Sequence, residues 1–163
     1  MFDIEPVTLI MSFILMCAFS IPFIYSAQKN KKKINEIKTK LHELAKSMNA
    51  NPSEVEIWRN RYALGLDSSQ NKLIYLRQDE DFVSYKLDLR EFKKASLIKH
   101  FQEVNGKQQT TKLPEYLAIE LTPVAAGAKV VTMEIYDSDH YSDLLGETVL
   151  AEKWIINLNN RLN

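Results

Sequence analysis

Four acidic residues near the C-terminus are the clearest candidates for chemistry in this sequence. They are Asp137, Asp139, Asp143 and Glu147. Carboxylate oxygens are the ligands that Ca²⁺ prefers, so a hard-cation site is one interpretation of this acidic cluster. The spacing lacks the glycine and the distal bidentate glutamate of the known calcium loop. Because carboxylates also stabilise helix N-termini, the sequence favours a structural role beside a C-terminal helix, and we assign no metal site.

Histidine and cysteine offer little further chemistry. His140 lies within the acidic cluster and His100 lies on a predicted strand, and no serine or cysteine nucleophile can be assigned to either. The single cysteine, Cys17, lies in an apolar segment, so the sequence provides neither a disulfide framework nor a cysteine metal cluster. The four glycines do not form a phosphate-binding loop. We therefore expect a protein that is not an enzyme and carries no cofactor.

The element that positions everything else is an uncharged segment of 19 residues, Val7 to Tyr25. As a helix it would span ~28 Å, close to the ~30 Å hydrocarbon core of a bilayer. A cleaved signal peptide is the first alternative, but Asp3 and Glu5 stand where such a peptide carries positive charge. A buried core helix is the second, but it would normally include more polar residues. We expect residues 1–28 to form an N-terminal tail and a single transmembrane anchor.

Four lysines follow the anchor directly, at Lys29, Lys31, Lys32 and Lys33. Positive residues beside a span tend to remain in the cytoplasm. We therefore expect an inner (plasma) membrane protein with its N-terminus outside and its C-terminal domain in the cytoplasm. Residues 26–48 hold seven lysines and two glutamates, a net charge of +5. Anionic headgroups attract such charge by roughly 1 kcal/mol per basic residue, so lipid contact is an alternative to a purely topological role.

Residues 29–53 are predicted to form a basic stalk helix and a linker. Five apolar residues recur at heptad spacing, namely Ile34, Ile37, Leu41, Leu44 and Met48. They cover about two heptads, fewer than the three to four of a stable coiled coil. We expect the stripe to pack on the protein's own domain or simply to continue the membrane helix. Self-association through Ile34, Ile37, Leu41 and Leu44 is the alternative.

Residues 54–163 are long enough for one compact domain. Apolar residues alternate with polar ones over most of this region, and turn-forming residues separate the alternating runs. Seven strands are predicted, over residues 58–66, 72–77, 82–89, 94–104, 107–112, 116–122 and 129–136. The period changes to that of a helix over residues 148–162. An amphipathic helix after seven strands must bury its apolar face on a sheet, with Trp154 as the natural plug of the core.

Seven antiparallel strands closed by one C-terminal amphipathic helix resemble a pleckstrin-homology-like domain. The stretch from Trp58 to Leu76, WRNRYALGLDSSQNKLIYL, looks like the opening hairpin, and Leu145 to Trp154 looks like the closing helix. The whole plan resembles small uncharacterised bacterial membrane-anchored proteins with this kind of domain. The resemblance implies an α+β, mainly β fold, in which a sandwich or partly open barrel is capped by the helix. It also implies binding of peptides, proteins or lipid headgroups, although the loop DSSQN lacks the cations of phosphoinositide-binding members.

The charge of the domain is segregated along the chain. Residues 86–112 carry a net charge of +4, whereas residues 115–152 hold eight acids and one lysine. A nucleic-acid interface would need a stronger basic excess and aromatic platforms. A charge-complementary protein surface is the better interpretation, and it would include Lys93, Lys94 and Lys99. Plain solvated faces are the alternative.

The expected function is therefore that of a non-enzymatic single-pass membrane protein, whose cytoplasmic β-domain binds a partner protein as an adaptor or accessory subunit. The alternative is a membrane-tethered domain that binds a lipid or another small ligand in a pocket between the sheet and the C-terminal helix.

Overall fold

The computed structural model describes residues 6–79, 81–105 and 110–162, although not the side chains of 103–105 and 110–113. Within these residues, the chain forms one long helix, then seven strands, then a second helix. The elements are α1 (Pro6–Ser47), β1 (Glu54–Trp58), β2 (Tyr62–Asp67), β3 (Lys72–Gln78), β4 (Phe82–Asp88), a 3₁₀ turn (Leu89–Glu91), β5 (Phe92–Asn105), β6 (Thr110–Pro123), β7 (Val131–Asp137) and α2 (Glu147–Asn159). The expected α+β class is confirmed, with a long apolar N-terminal helix, seven antiparallel strands and a C-terminal helix.

The strands form two antiparallel sheets. The first sheet has the order β1-β2-β3-β4 and the second has the order β5-β6-β7. In the first, Leu64 lies opposite Tyr75, and in the second, Leu97 lies opposite Ile119. Among the described strands the two sheets remain separate, so the structure is a sandwich and not a closed barrel.

Two of the predicted strand boundaries are wrong. The predicted strand 58–66 is divided, because the chain turns at Arg59 and Asn60, which both adopt positive φ angles of 53° and 49°. The described part of the predicted strand 107–112, residues 110–112, and the predicted strand 116–122 belong to one strand, β6. A register shift between His100 and Phe101 lets β5 follow β6 past Pro114, so the proline does not end the strand. Residues 106–109, which include the start of the predicted strand 107–112, lie outside the described residues.

The main core lies between the two sheets and under α2. Inward residues of β2 and β3 meet those of β6 and β7, and α2 adds Ala151, Trp154 and Leu158. Trp154 is only 2% exposed, so it is the buried core residue of α2 that the sequence predicted.

A second core lies on the outer face of the first sheet, where α1 packs. Ile37, Leu41 and Ala45 of α1 are buried against this face together with Ala63 of β2. A Cβ atom on Gly65 would lie 3.1 Å from Leu41 Cδ2, so glycine is what allows the helix to come this close. All six residues of β2 are buried because the sandwich covers one face and α1 covers the other. The stalk therefore packs on the protein's own domain.

The connection between α1 and the sheet is held by several hydrogen bonds. After Asn49, which has a φ of 53°, the backbone N–H of Asn51 donates to Asp67 Oδ2 over 2.7 Å. The backbone N–H of Ser53 donates to the carbonyl of Leu66 over 2.9 Å. These bonds join the linker to the end of β2, so the helix meets the domain at a fixed junction.

The Asp67 carboxylate at this junction predicts a specific pH dependence. Hydrogen bonds from the Ser69 hydroxyl and then from the Asn51 N–H lower the pKa of Asp67 from 3.8 to about 2. Because the folded pKa lies below the unfolded one, the ionised carboxylate stabilises the fold fully above about pH 4, and this contribution is lost as the pH falls toward 2. The Asp67→Asn variant should be less stable at pH 7. Its free energy of unfolding should also depend less on pH between about pH 2 and pH 4. Denaturant unfolding of the full-length protein in detergent, measured at both ends of the window, checks this, and parallel pH curves for the two proteins would contradict it.

Val7 to Tyr25 lie in the N-terminal half of α1 and contact no part of the domain core. Their large apolar side chains are 56–71% exposed, which is not the arrangement of a buried core helix. By length and composition, α1 is apolar enough to cross a membrane. The helix then continues to Ser47 without a break, so the predicted anchor and stalk are one element.

Candidate functional site

The acidic cluster is tied to an arginine that sequence reasoning did not single out. Arg59, in the turn after β1, donates from Nε to Glu147 Oε1 and from Nη2 to the backbone carbonyl of Asp143. Glu147 is only 4% exposed and also accepts from the Leu145 N–H over 2.6 Å. Burial lowers the pKa of Arg59, but the hydrogen bond and the charge of Glu147 outweigh it, so the pKa is raised overall. The most buried carboxylate of the cluster is therefore neutralised within the protein.

The other two carboxylates of the cluster, Asp137 and Asp139, lie at the end of β7 and in the turn that follows it. Asp137 Oδ1 accepts from the Asp139 N–H over 2.9 Å, which is a local turn contact. In the part of the chain that the structure describes, no group of three or more acidic, histidine or cysteine side chains is arranged to hold a metal ion. Glu147 does lie in the first turn of α2, where its charge complements the helix dipole, as the structural interpretation expected.

Aromatic rings pack around the arginines at this end of the sandwich. The guanidinium of Arg59 lies 4.6 Å from the ring centroid of Tyr141, and that of Arg61 lies 5.5 Å from the ring of Tyr62. Trp58 stacks on Tyr62 with 5.3 Å between ring centroids. Arg61 also pairs with Asp79. Cation–π contacts of this kind hold the charged groups against the domain.

A buried glutamate joins the two sheets. Glu134 on β7 is 8% exposed and accepts from the Tyr62 hydroxyl over 2.6 Å and from Arg77. The Tyr75 hydroxyl donates to the backbone carbonyl of Glu134 over 2.8 Å. Burial, followed by the hydrogen bond to Glu134, raises the pKa of Tyr62 far above its ordinary value. Burial and then the Glu134 charge do the same for the pKa of Tyr75. Both hydroxyls are thus held as neutral donors, which suits a structural network better than acid–base catalysis.

The predicted basic surface is divided between two roles. Lys93 and Lys94 on β5 have exposed side chains. Lys99 on the same strand donates to Glu152 of α2 over 2.9 Å. The structure therefore leaves Lys93 and Lys94 as the outward part of this surface and uses Lys99 to hold α2 against β5.

The stalk residues on α1 also fall into two groups, exposed lysines and buried apolar residues. Lys29, Lys31, Lys32 and Lys33 are exposed on α1, next to the apolar segment. The residues proposed for self-association behave differently, because Ile37 and Leu41 are 1% and 3% exposed against the first sheet. Ile34 and Leu44 are partly buried. Self-association through this seam would require α1 to leave the sheet.

The side of the sandwich beneath α2 is filled. The Asn159 side chain accepts from the Ala95 N–H and donates to the Ala95 carbonyl, both over 2.9 Å, so an amide occupies the backbone groups of β5 at this point. Lys153 donates to Glu56 of β1 over 2.7 Å. Since Trp154 fills the space below, α2 bridges β5 and β1 at the position that the alternative function assigned to a ligand pocket.

Cavities open elsewhere on the domain. One of about 580 Å³ lies at the end of the sandwich where β7 begins, and its apolar lining includes Leu87, Phe92, Pro123, Val124 and Val131. Another of about 320 Å³ lies beside the acidic cluster, with Tyr136, Tyr141 and Asp143 in its lining. These are places where a small molecule could contact the domain.

Several of these groups have no signal in the sequence. Arg59 and Glu147 are separated by 88 residues, and Tyr62 and Glu134 by 72.

Comparisons with protein-family models, with curated proteins and with solved structures found no match to this chain.

Proposed function

We propose that this protein is a non-enzymatic, single-pass membrane protein whose cytoplasmic β-domain binds a partner protein at the membrane. It would act there as an adaptor or as an accessory subunit of a larger complex. The observation that carries this proposal is the continuity of α1. One helix runs from the exposed apolar segment into the stripe that packs on the first sheet.

This continuity sets the position of the domain relative to the bilayer. The interval from Tyr25 to Ile37 is 12 residues, about 18 Å of helix. A helix that is packed on the sheet and followed by a hydrogen-bonded junction gives a defined height and orientation, which a flexible linker would not give. A fixed orientation is useful to a protein that must present one surface to a neighbour in the same membrane.

The lysines in that interval support the proposed topology. Lys29, Lys31, Lys32 and Lys33 follow the span directly, and by the positive-inside rule they favour a cytoplasmic domain, which we propose to lie at the inner (plasma) membrane. Their exposed ammonium groups also lie where anionic headgroups would attract them.

The sandwich itself supports a binding role. Among the described residues the buried carboxylates are Asp67, Glu134 and Glu147. Glu134 and Glu147 are each paired with an arginine, and Asp67 accepts from the backbone N–H of Asn51, so all three serve the connection between elements. We further propose that residues 54–163 form a pleckstrin-homology-like domain. Its support is the order of a four-stranded sheet, a three-stranded sheet and a C-terminal helix.

The test is affinity purification of the tagged full-length protein from its own membranes under mild detergent, with mass spectrometry of the bound proteins. The matched control lacks residues 1–28. We expect a stoichiometric membrane partner with the full-length protein and a reduced amount or none with the control. Recovery of no partner would overturn the proposal.

A second candidate function is the binding of a lipid or another small apolar ligand. The cavity of about 580 Å³ at the end of the sandwich where β7 begins favours it, because its lining is largely apolar. Native mass spectrometry of the purified protein distinguishes the two functions. A bound small molecule without a protein partner would favour ligand binding.

A further inference from the structure

The outer strand of the first sheet is only partly covered. Burial is complete along β2 and falls at β4, where no residue is fully buried and Phe82 is 48% exposed. The inward side chains of β4, Val83, Tyr85 and Leu87, pack against the core but remain partly open to solvent. This is the pattern of a sheet to which one more strand could be added.

The backbone of β4 has hydrogen-bonding groups that point away from the sheet. The N–H of Leu89 donates to the carbonyl of Asn71 over 2.8 Å, and the register continues with Tyr85 opposite Tyr75. Leu89 and Asn71 form a hydrogen-bonded pair, and such pairs recur at every second residue of an antiparallel ladder. The backbone of Tyr85, four residues before Leu89, therefore also bonds to β3. The N–H and C=O groups of Ser84 and Lys86 therefore face outward. Such a row is a template for another strand.

The other sheet edges each carry some side-chain contacts within the part of the chain that the structure describes. Asn159 occupies the backbone groups of Ala95 on β5. Trp58 and Tyr75 donate to two backbone carbonyls of β7. Side chains of α2 contact β1. On β4, as on β1, the contacts seen among the described residues are between side chains, here with α1, and none of them bonds to the outward backbone groups of Ser84 and Lys86.

A small cavity lies on the inner side of this edge, between β4 and β7. Its volume is about 230 Å³, and its lining includes Tyr75, Tyr85, Tyr116 and Arg77. Tyr75 and Tyr85 stack with 5.7 Å between ring centroids. A cavity of this size and lining suits one uncharged side chain of an added strand, which would rest against the tyrosine rings.

A second cavity lies on the outer side, between β4 and α1, with a volume of about 450 Å³. Its lining is Lys40, Glu43, Leu44, Ser47, Phe82 and Lys86. Lys86 contacts the neutral Ser47 hydroxyl over 3.3 Å, and Lys40 lies over the Phe82 ring. Two lysines and one glutamate leave a positive balance here, beside a stalk that is itself strongly basic.

We propose that the outward edge of β4 is the docking site for an extended segment of a partner protein, which adds as a fifth strand to the first sheet. Side chains alternate along a strand, so the segment presents acidic residues to Lys40 and Lys86 and uncharged residues to the tyrosine cavity. This proposal rests on the proposed function and identifies the surface and the chemistry of the partner.

The topology argues against a second copy of this chain as the occupant. Phe82 at the start of β4 lies near Lys40, and Lys86 lies near Ser47, so β4 and α1 run in the same direction. Antiparallel pairing of two β4 strands would turn one domain over relative to the other. Two copies anchored in the same membrane share one orientation, so they could not pair in this way.

The test uses the full-length protein in nanodiscs of neutral phospholipid and a synthetic seven-residue peptide with alternating glutamate and valine. We expect this peptide to slow hydrogen–deuterium exchange at the amides of Ser84 and Lys86. A lysine–valine peptide of the same length should bind about tenfold more weakly or worse. Protection of other elements only, or equal binding of the two peptides, would overturn the proposal.

Two variants sharpen the result. Ser84→Pro removes an outward N–H that the sheet does not use, whereas the control Ser84→Thr keeps it. We expect about a tenfold loss of glutamate-peptide binding for the first and none for the second. Lys86 has an exposed side chain, and the Lys86→Glu variant should bind the lysine–valine peptide more tightly than the glutamate–valine peptide. Unchanged binding by both Ser84→Pro and Lys86→Glu would show that the edge is not the site.

Purification from native membranes separates this proposal from the proposed function. Loss of the partner with Ser84→Pro, but not with Ser84→Thr, supports the β4 edge. If Ser84→Pro recovers the partner as well as the unsubstituted protein does, the edge proposal fails and the proposed function remains. If the unsubstituted protein recovers no partner, the proposed function fails, and the peptide experiment alone decides whether the edge binds strands.

Discussion

Replacement of Trp154 by alanine is expected to lower the free energy of unfolding by about 3–5 kcal/mol. The indole is 2% exposed and lies with Ala151 and Leu158 between α2 and the two sheets. Its removal leaves a cavity that the strands cannot close, because both sheets are fixed by their own ladders. Denaturant unfolding of the full-length protein in detergent, followed by far-ultraviolet circular dichroism, measures the change.

Two variants of α2 test the cause of that loss. Ile156 on the same helix is 64% exposed, so Ile156→Ala should change the free energy of unfolding by no more than about 0.5 kcal/mol. Among the described residues, the buried Trp154 Nε1 has no hydrogen-bond partner. The contribution of the indole is therefore packing, and Trp154→Phe should retain much more stability than Trp154→Ala. Equal losses for phenylalanine and alanine would contradict this explanation.

The parts of the fold that follow a regular period were predictable. α2 was recognised because Leu150, Trp154 and Leu158 recur every four residues, which places them on one helix face. The packing of the stalk on the domain was among the expected outcomes because its stripe was too short for a stable coiled coil. These features depend on residues close in sequence, where spacing alone determines which side chains share a face.

The features that were missed depend on backbone angles or on distant partners. The turn at Arg59 and Asn60 contains neither glycine nor proline. Asparagine tolerates a positive φ angle but arginine rarely adopts one, so the composition gave only a weak signal for this turn. Pro114 marked a boundary between two predicted strands, yet a bulge lets β6 pass through it. The pairing of Arg59 with Glu147 required the two sheets to be placed first. The acidic cluster thus had a visible pattern, but its partner could be found only in three dimensions.

Replacement of Leu41 by alanine is the change with the next largest expected effect, at about 2–5 kcal/mol of lost stability. Leu41 is 3% exposed at the centre of the contact between α1 and the first sheet. Thr39, two residues away on the exposed side of the same helix, provides the control, and Thr39→Ala should be close to neutral. Unfolding in detergent is measured as for Trp154.

Gly65 allows a stricter test of the same contact. The new Cβ of Gly65→Ala would lie 3.1 Å from Leu41 Cδ2, so the buried Leu41 side chain would have to shift by a few tenths of an ångström. We expect Gly65→Ala alone to lower the free energy of unfolding by about 1 kcal/mol. In the Leu41→Ala background that steric conflict is absent, and the added methyl group occupies part of the cavity. The double variant should therefore be more stable than the sum of the two single changes predicts. Additive losses would contradict a direct contact between Leu41 and position 65.

The same pair of residues connects stability to the proposed function. If the helix contact holds the orientation of the domain, Leu41→Ala should broaden the distribution of distances between a spin label at the membrane end of α1 and one on α2. The sandwich should remain folded, because its core between the sheets does not include Leu41. Partner recovery should then fall even though the β4 edge is intact. Unchanged recovery with a broadened distance distribution would mean that the partner needs the β-domain near the membrane but not in one orientation.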